Sequence, residues 1–122
     1  MGQTESRDFH LTIFNPTGEM ISTFHLEFNC KTIVKSVNKI NAEDSQAHFT
    51  LKYYQNSTQM MDIIFDPGFE IGMKDTDIVV HCDFSEPPGL KVVKLTEIHS
   101  GPTYTFNSNQ IQQLNKKYFA NP

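Results

Sequence analysis

Strict alternation of apolar and polar residues recurs along most of this chain and limits what it can fold into. The alternation is clearest at residues 24–28, 49–53 and 78–84, where every second residue is apolar. Successive side chains of a β-strand point to opposite faces, so this spacing gives a strand one apolar and one polar face. The pattern therefore predicts a chain built mainly of half-buried β-strands.

The alternation predicts five main strands. A long extended segment runs from about residue 22 to residue 40, and its apolar residues change face near Cys30 and Lys31. Because one inserted residue turns every later side chain to the other face, this change indicates a bulge in a single long, bent strand. A shorter strand at residues 9–14 precedes it. The other four main strands are predicted at residues 47–53, 60–65, 78–84 and 90–98.

Strand number and order predict the fold class. Five main strands with a bulged first strand, followed by one helix, predict an all-β fold: a five-stranded OB-fold barrel with a C-terminal α-helix. A β-sandwich is the alternative, although it usually needs about seven strands. The predicted organisation is a flexible N-terminus over residues 1–8, the OB-fold barrel over residues 9–104 and a C-terminal assembly helix over residues 105–122.

The C-terminal segment predicts one short amphipathic helix. Asn107 can accept hydrogen bonds from the first-turn amides, and Gln110 follows three residues later, as in a capping box. Phe106 and Ile111 occupy the positions of a hydrophobic staple. The apolar residues that follow line one narrow face of the helix. They are Ile111, Leu114, Tyr118 and Phe119.

This narrow apolar face could pack against either of two kinds of surface. It can pack against the barrel of its own chain, or it can pack against helices of other subunits. A face about two positions per heptad wide suits helix-to-helix packing better than it suits a broad barrel mouth. We therefore predict that Ile111, Leu114, Tyr118 and Phe119 form a partner interface.

The charge balance limits the role of nucleic acid. The net charge is −4 and the pI is near 5.6, whereas a protein that binds nucleic acid alone usually has a basic surface. Partner subunits would therefore supply the cations. The residues predicted to contact a single strand directly are Lys35, Lys52 and Tyr54. Tyr53 is assigned to the core because it shares a face with Phe49 and Leu51.

The sequence offers no recognisable catalytic or metal-binding pattern. Its five histidines are scattered, and none has the spacing of a known ligand motif. His81 and Cys82 are neighbours on one strand and point to opposite faces, so one metal ion could not easily use both. We expect no enzyme activity, no cofactor and no metal site. Cys30 and Cys82 are predicted to be buried free thiols in a reduced compartment.

Membrane association is not expected from the sequence. No apolar run approaches the length of a membrane span, and no signal peptide is expected. Residues 1–6 fit the loose myristoylation pattern at Gly2, but no polybasic stretch follows, and one acyl chain anchors weakly. Acylation of Gly2 is left open.

Several segments, taken in order, resemble the small subunit of replication protein A. The resemblance rests on the order, length and apolar pattern of these segments, from about Thr32 to Phe119. The longer polar N-terminus and the Asn- and Gln-rich helix depart from the family and suggest a specialised paralogue. The segments are residues 34–41, 48–51, 61–65 and 77–82, and the helix that ends at Phe119.

The resemblance implies an OB fold whose last helix joins helices of a medium and a large OB-fold subunit. It implies an assembly subunit of a single-stranded-DNA-binding heterotrimer like replication protein A, in DNA replication or telomere maintenance. Single-stranded DNA would be held mainly by the partners, telomerase would be a partner of a telomerase-associated paralogue, and the location would be nuclear. The alternatives are a stand-alone OB module that binds single strands and a small OB subunit of a CST-type telomere-capping complex.

Overall fold

The computed structural model describes residues 5–13, 20–40, 46–71, 76–98 and 103–119. These residues form eight strands, one α-helix and a final π-helical turn. The strands are β1 (Glu5–Ile13), β2 (Ile21–Phe28), β3 (Thr32–Lys39), β4 (Phe49–Tyr54), β5 (Ser57–Phe65), β6 (Thr76–Phe84), β7 (Leu90–Glu97) and β8 (Thr103–Thr105). The helix is α1 (Ser108–Leu114), and the π-helical turn covers Asn115–Phe119.

The strands form two antiparallel sheets that enclose one core. The three-stranded sheet has the order β1-β6-β3, and the five-stranded sheet has the order β4-β5-β2-β7-β8. The alternating apolar residues of both sheets belong to a single buried cluster. Phe28 of the wide sheet contacts Phe9 and Phe84 of the narrow sheet, with ring centroids 6.0 Å and 5.2 Å apart. The core therefore lies between the two sheets.

The long segment predicted as one bent strand is in fact two strands in different sheets. The chain leaves the wide sheet after Phe28 and enters the narrow sheet at Thr32. Even-numbered residues stay buried through this crossing and up to Val34. The register shifts nearest the crossing lie on either side of it, between Glu27 and Phe28 in β2 and between Val34 and Ser36 in β3, so the predicted bulge at Cys30 and Lys31 was misplaced.

The all-β class and the C-terminal helix are confirmed, whereas the five-stranded barrel is not. The described residues form eight strands, and their hydrogen-bonded order is that of two sheets. The predicted number of strands was too low for two reasons. The long predicted strand is two strands, β2 and β3, and Thr103–Thr105 is too short to show alternation. The N-terminus was predicted to be flexible over residues 1–8. The structure places residues 5–8 in β1, and residues 1–4 lie outside the described residues.

The two sheets differ in width, and different contacts close the two sides between them. On the side of β3 and β4, the Tyr53 hydroxyl donates to the carbonyl oxygen of Thr32 over 2.8 Å. The amide of Ala47 also donates to the carbonyl oxygen of Val37 over 2.9 Å. On the other side, α1 packs against β7, and the π-helical turn packs against β1. The terminal helix therefore covers one side of the core.

Both cysteines are free and buried, as predicted. Cys82 is fully inaccessible within β6. Burial is the main cause that raises the pKa of its thiol, and the nearby carboxylates of Asp83 and Asp8 raise it further. Burial also raises the pKa of Tyr53, with a smaller contribution from Cys82. Both groups are therefore held in their neutral forms by the fold.

Stability is expected to fall as the pH rises above about 8.5, where an unfolded cysteine ionises. The unfolded chain then loses protons that the folded chain keeps, so alkaline conditions favour unfolding. Urea titrations at about pH 7.5 and about pH 9.5 measure this change in the free energy of unfolding. The variant Cys82→Ala should show a smaller fall between the two values. A wild-type stability that is equal at both values would contradict the burial argument.

Candidate functional site

The terminal helix is anchored in the core by its last residue. Phe119 is only 5% exposed, and its ring contacts those of Phe9, Phe28 and Phe84 at centroid distances of 5.3, 6.2 and 5.8 Å. The other three predicted interface residues are partly buried and pack against the same core. They are Ile111, Leu114 and Tyr118. The structure thus places Phe119 inside its own domain, where a partner could not reach it.

The start of the helix has the predicted capping box. The side-chain oxygen of Asn107 accepts from the amide of Gln110 over 2.9 Å, and the side-chain oxygen of Gln110 accepts from the amide of Asn107 over 2.9 Å. Phe106 is buried before the cap. Two otherwise unpaired amides are satisfied, which fixes where the helix begins.

Arg7 holds the C-terminal end of the helix. It is the only arginine in the chain, and its Nη1 donates to the carbonyl oxygen of Tyr118 over 3.1 Å. Its Nε donates to the Glu5 carboxylate over 2.7 Å. A cation is favourable at this end, because the last carbonyls of a helix lack intrahelical partners. The His10 ring of the same strand stacks parallel to the Tyr118 ring, with centroids 5.6 Å apart.

Asn115 joins the helix to the start of β7. Its side-chain oxygen accepts from the amide of Leu90 over 2.7 Å, and its side-chain nitrogen donates to the carbonyl oxygen of Leu90 over 2.9 Å. The amide side chain therefore pairs with both backbone groups of one residue. Sequence reasoning missed Arg7 and Asn115, because their contacts depend on the tertiary structure.

A groove of about 400 Å³ runs beside the terminal helix. Asp77 of β6 and Thr12 of β1 line the side formed by the narrow sheet. Asp77 and Lys117 carry opposite charges on opposite walls, and no ion pair within the described residues joins them. The helix contributes residues that recur at the spacing of one helical face, namely Gln110, Gln113, Leu114, Lys117 and Tyr118.

The outer face of the five-stranded sheet is a second candidate surface, called here the open sheet face. A row of four residues crosses it on adjacent strands, because each is paired directly with the next. The row is Lys52, Asp62, His25 and Lys94. Tyr54 lies beside this row and is 43% exposed. The open sheet face is defined by Thr23, His25, Glu27, Lys52, Tyr54, Asp62, Lys94 and Thr96.

His25 is the centre of a fixed polar cluster on the open sheet face. Its Nδ1 lies 2.7 Å from an Asp62 oxygen, and its Nε2 lies 2.7 Å from a Glu27 oxygen. The Tyr54 hydroxyl donates to Asp62 over 3.3 Å, and its ring meets the His25 ring edge-on at 5.1 Å. Partial burial, followed by the carboxylates of Asp62 and Glu27, raises the pKa of Tyr54. Both His25 nitrogens are engaged.

The structure brings together two of the three residues predicted to contact nucleic acid. Lys52 and Tyr54 share the open sheet face, whereas Lys35 lies on the other sheet. There its Nζ is 3.8 Å from an Asp83 oxygen. Sequence reasoning missed His25 and Lys94 for this face, because the register of β2 and β7 brings them into line with Lys52.

Two other features are absent from the described residues. No group of three or more histidine, cysteine, aspartate or glutamate residues among them is placed to hold a metal ion. None of their helical segments has the length and apolar character that a membrane-spanning helix needs. Comparison with known proteins found no matching family model, no matching curated protein and no matching solved structure.

Proposed function

We propose that this chain is a non-catalytic assembly subunit that receives a helix of a partner protein in the groove beside its own terminal helix. The observation that carries the proposal is the lining of that groove. Leu114 and Tyr118 are only partly buried by the core, and both also line the groove. Residues one helical turn apart are typical of a surface that accepts an amphipathic helix. A partner that covers them would bury apolar surface that the chain leaves exposed.

The size and charge of the groove suit such a helix. The lining residues between Gln110 and Tyr118 span about 12 Å along the helix axis, at 1.5 Å per residue. Asp77 on one wall favours a basic residue on the facing side of the partner, and Lys117 on the other wall favours an acidic residue. The proposed partner segment therefore has an apolar stripe with a basic flank and an acidic flank.

The finer form of the proposal is an OB-fold subunit of a heterotrimer like replication protein A. That trimer would bind single-stranded DNA mainly through its medium and large subunits, in DNA replication or telomere maintenance. The position of the helix after the last strand, and the partly exposed Leu114 and Tyr118 that line the groove, support this form. Phe119 would remain in the core, so the contact with the partner would be made by the side of the helix that faces the groove.

The test compares two adjacent exposed glutamines, of which only Gln113 lines the groove. The tagged full chain would be expressed in its native source with a photo-crosslinking residue at position 113 or at position 112. We expect crosslinks from position 113 to an amphipathic helical segment of a partner, and at least about tenfold fewer from position 112. The variant Gln113→Trp should reduce partner recovery by about tenfold, because its side chain fills the groove.

Lys117, on the helix side of the groove, allows a second comparison between a groove variant and a matched control. Lys117→Glu should weaken partner recovery, whereas Lys116→Glu, which changes an exposed residue outside the groove, should leave it unchanged. Equal recovery with all of these variants would refute the proposal. Crosslinks from position 113 to an extended or globular segment would refute the helical partner.

A further inference from the structure

The open sheet face presents unpaired positive charge on an acidic chain. Both of its carboxylates, Asp62 and Glu27, are engaged with the His25 ring. Lys52 and Lys94 are exposed, and neither forms an ion pair with any described residue. The two carboxylates are thus held at the His25 ring, and the charged side chains left free to pair with a ligand on this face are the two lysines, although the net charge of the chain is −4. The free charge favours an anionic ligand.

The opposite face of the molecule differs in charge. The outer face of the three-stranded sheet carries Asp8, Asp77 and Asp83. Asp8 is paired with His81 and Asp83 lies 3.8 Å from Lys35, which leaves Asp77 as the carboxylate without an ion pair among the described residues. An anionic ligand would be repelled there. The contrast between the two faces gives the chain one favourable side for such a ligand.

A shallow depression of about 220 Å³ lies on the open sheet face. Tyr54 and His25 contribute aromatic rings to its lining, Lys94 contributes a cation, and Thr23 and Thr96 are the flanking threonines. Tyr54 is fixed by its hydrogen bond to Asp62 and by its edge-on contact with His25. An exposed aromatic ring held in one orientation can stack with a planar base without losing much conformational freedom.

We propose that the open sheet face binds a segment of single-stranded nucleic acid. One base would stack on Tyr54 in the depression, and backbone phosphates would pair with Lys52 and Lys94. Neighbouring strands of a sheet are about 4.8 Å apart, and Lys52 and Lys94 lie three strand spacings apart, so they are separated by about 14 Å. That distance leaves room for several backbone atoms of the nucleic acid between the two lysines. An acidic peptide could pair with the two lysines, but its carboxylates would not stack on the Tyr54 ring.

The experiment is a titration of the full chain with a fluorescein-labelled oligothymidine of about 16 nucleotides, followed by anisotropy at low salt. Tyr54→Ala should weaken binding by about 5- to 150-fold, which is the loss of one stacked base. Tyr54→Phe should bind within about twofold of the wild type, because the ring is kept. Lys52→Ala combined with Lys94→Ala should reduce the salt slope by about 1.4, which corresponds to two phosphate contacts on a single strand.

Lys35→Ala is the matched control, because it removes one exposed strand lysine from the other sheet. It should leave both affinity and salt slope unchanged, and thermal unfolding should show that every variant is folded. Any of three results would overturn the proposal: no binding by the wild type at low salt, equal weakening by Lys35→Ala, or equal competition by a poly-glutamate chain of similar length. These variants do not touch the groove, so the two proposals fail independently.

Discussion

Replacing Phe119 with alanine is expected to lower the free energy of unfolding by about 3–5 kcal/mol, the usual cost of removing a buried phenylalanine side chain. Phe119 contacts three core phenylalanines, which belong to β1, β2 and β6. Without its ring, a cavity would open between the two sheets, and the helix would lose its contact with the core. Urea unfolding of the full chain, followed by tyrosine fluorescence or circular dichroism, measures the change.

Lys116→Ala is the control for this experiment. Lys116 is exposed in the same π-helical turn, so its replacement should change stability by no more than about 0.5 kcal/mol. If Phe119→Ala were as stable as the control, the last turn of the helix would not be docked in solution. The helix would then be available to a partner over its whole apolar face.

Replacing Asn115 with alanine is expected to cost about 2–3 kcal/mol, because both backbone groups of Leu90 lose their partner. Leu90 is almost fully buried, so water replaces the missing side-chain amide poorly. The predicted cost exceeds that of an ordinary surface hydrogen bond for this reason. The same urea titration measures it.

Asn109→Ala is the matched control for Asn115. Asn109 is an exposed residue of α1, so its replacement tests helix propensity without touching Leu90. We expect a change within about 0.5 kcal/mol, of either sign. An Asn115→Ala variant that is no less stable than Asn109→Ala would show that the contact between the helix and β7 adds nothing to stability.

Local patterns in the sequence predict the strands well but not their arrangement. Ile78, Val80 and Cys82 alternate in the sequence and are fully buried in the structure. The crossing between β2 and β3 leaves no such signal, because a period of two continues unchanged when a chain moves from one sheet to the other. The predicted long strand and the low strand count both follow from this continuity.

The terminal helix shows the same division between local and distant information. Its start is encoded locally by Asn107 and Gln110, and the structure confirms the capping box. Its docking depends on Arg7, which is 111 residues from Tyr118, and on Asn115, which is 25 residues from Leu90. Contacts of that sequence separation leave no pattern in a single sequence. The sequence therefore predicted the helix but not that its last residue belongs to the core.

The open sheet face depends on strand register in the same way. The pairing of β2 with β5 and β7 brings His25 between Asp62 and Lys94. A sequence of alternating residues gives the outward side of each strand, but it does not say which outward residues become neighbours. Lys52 and Tyr54 could be predicted as exposed, whereas Lys94 could be assigned to the same surface only from the register.

Hydrogen exchange of the isolated full chain, measured by mass spectrometry, tests most directly whether the terminal helix is part of the folded domain. Both the closure of the core and the groove beside the helix require a docked helix. We predict that the amides of residues 111–119 are protected to a degree similar to those of β2 and β6, because they would open only when the domain unfolds. Complete exchange of these amides at the earliest time point, with β2 and β6 still protected, would contradict the account.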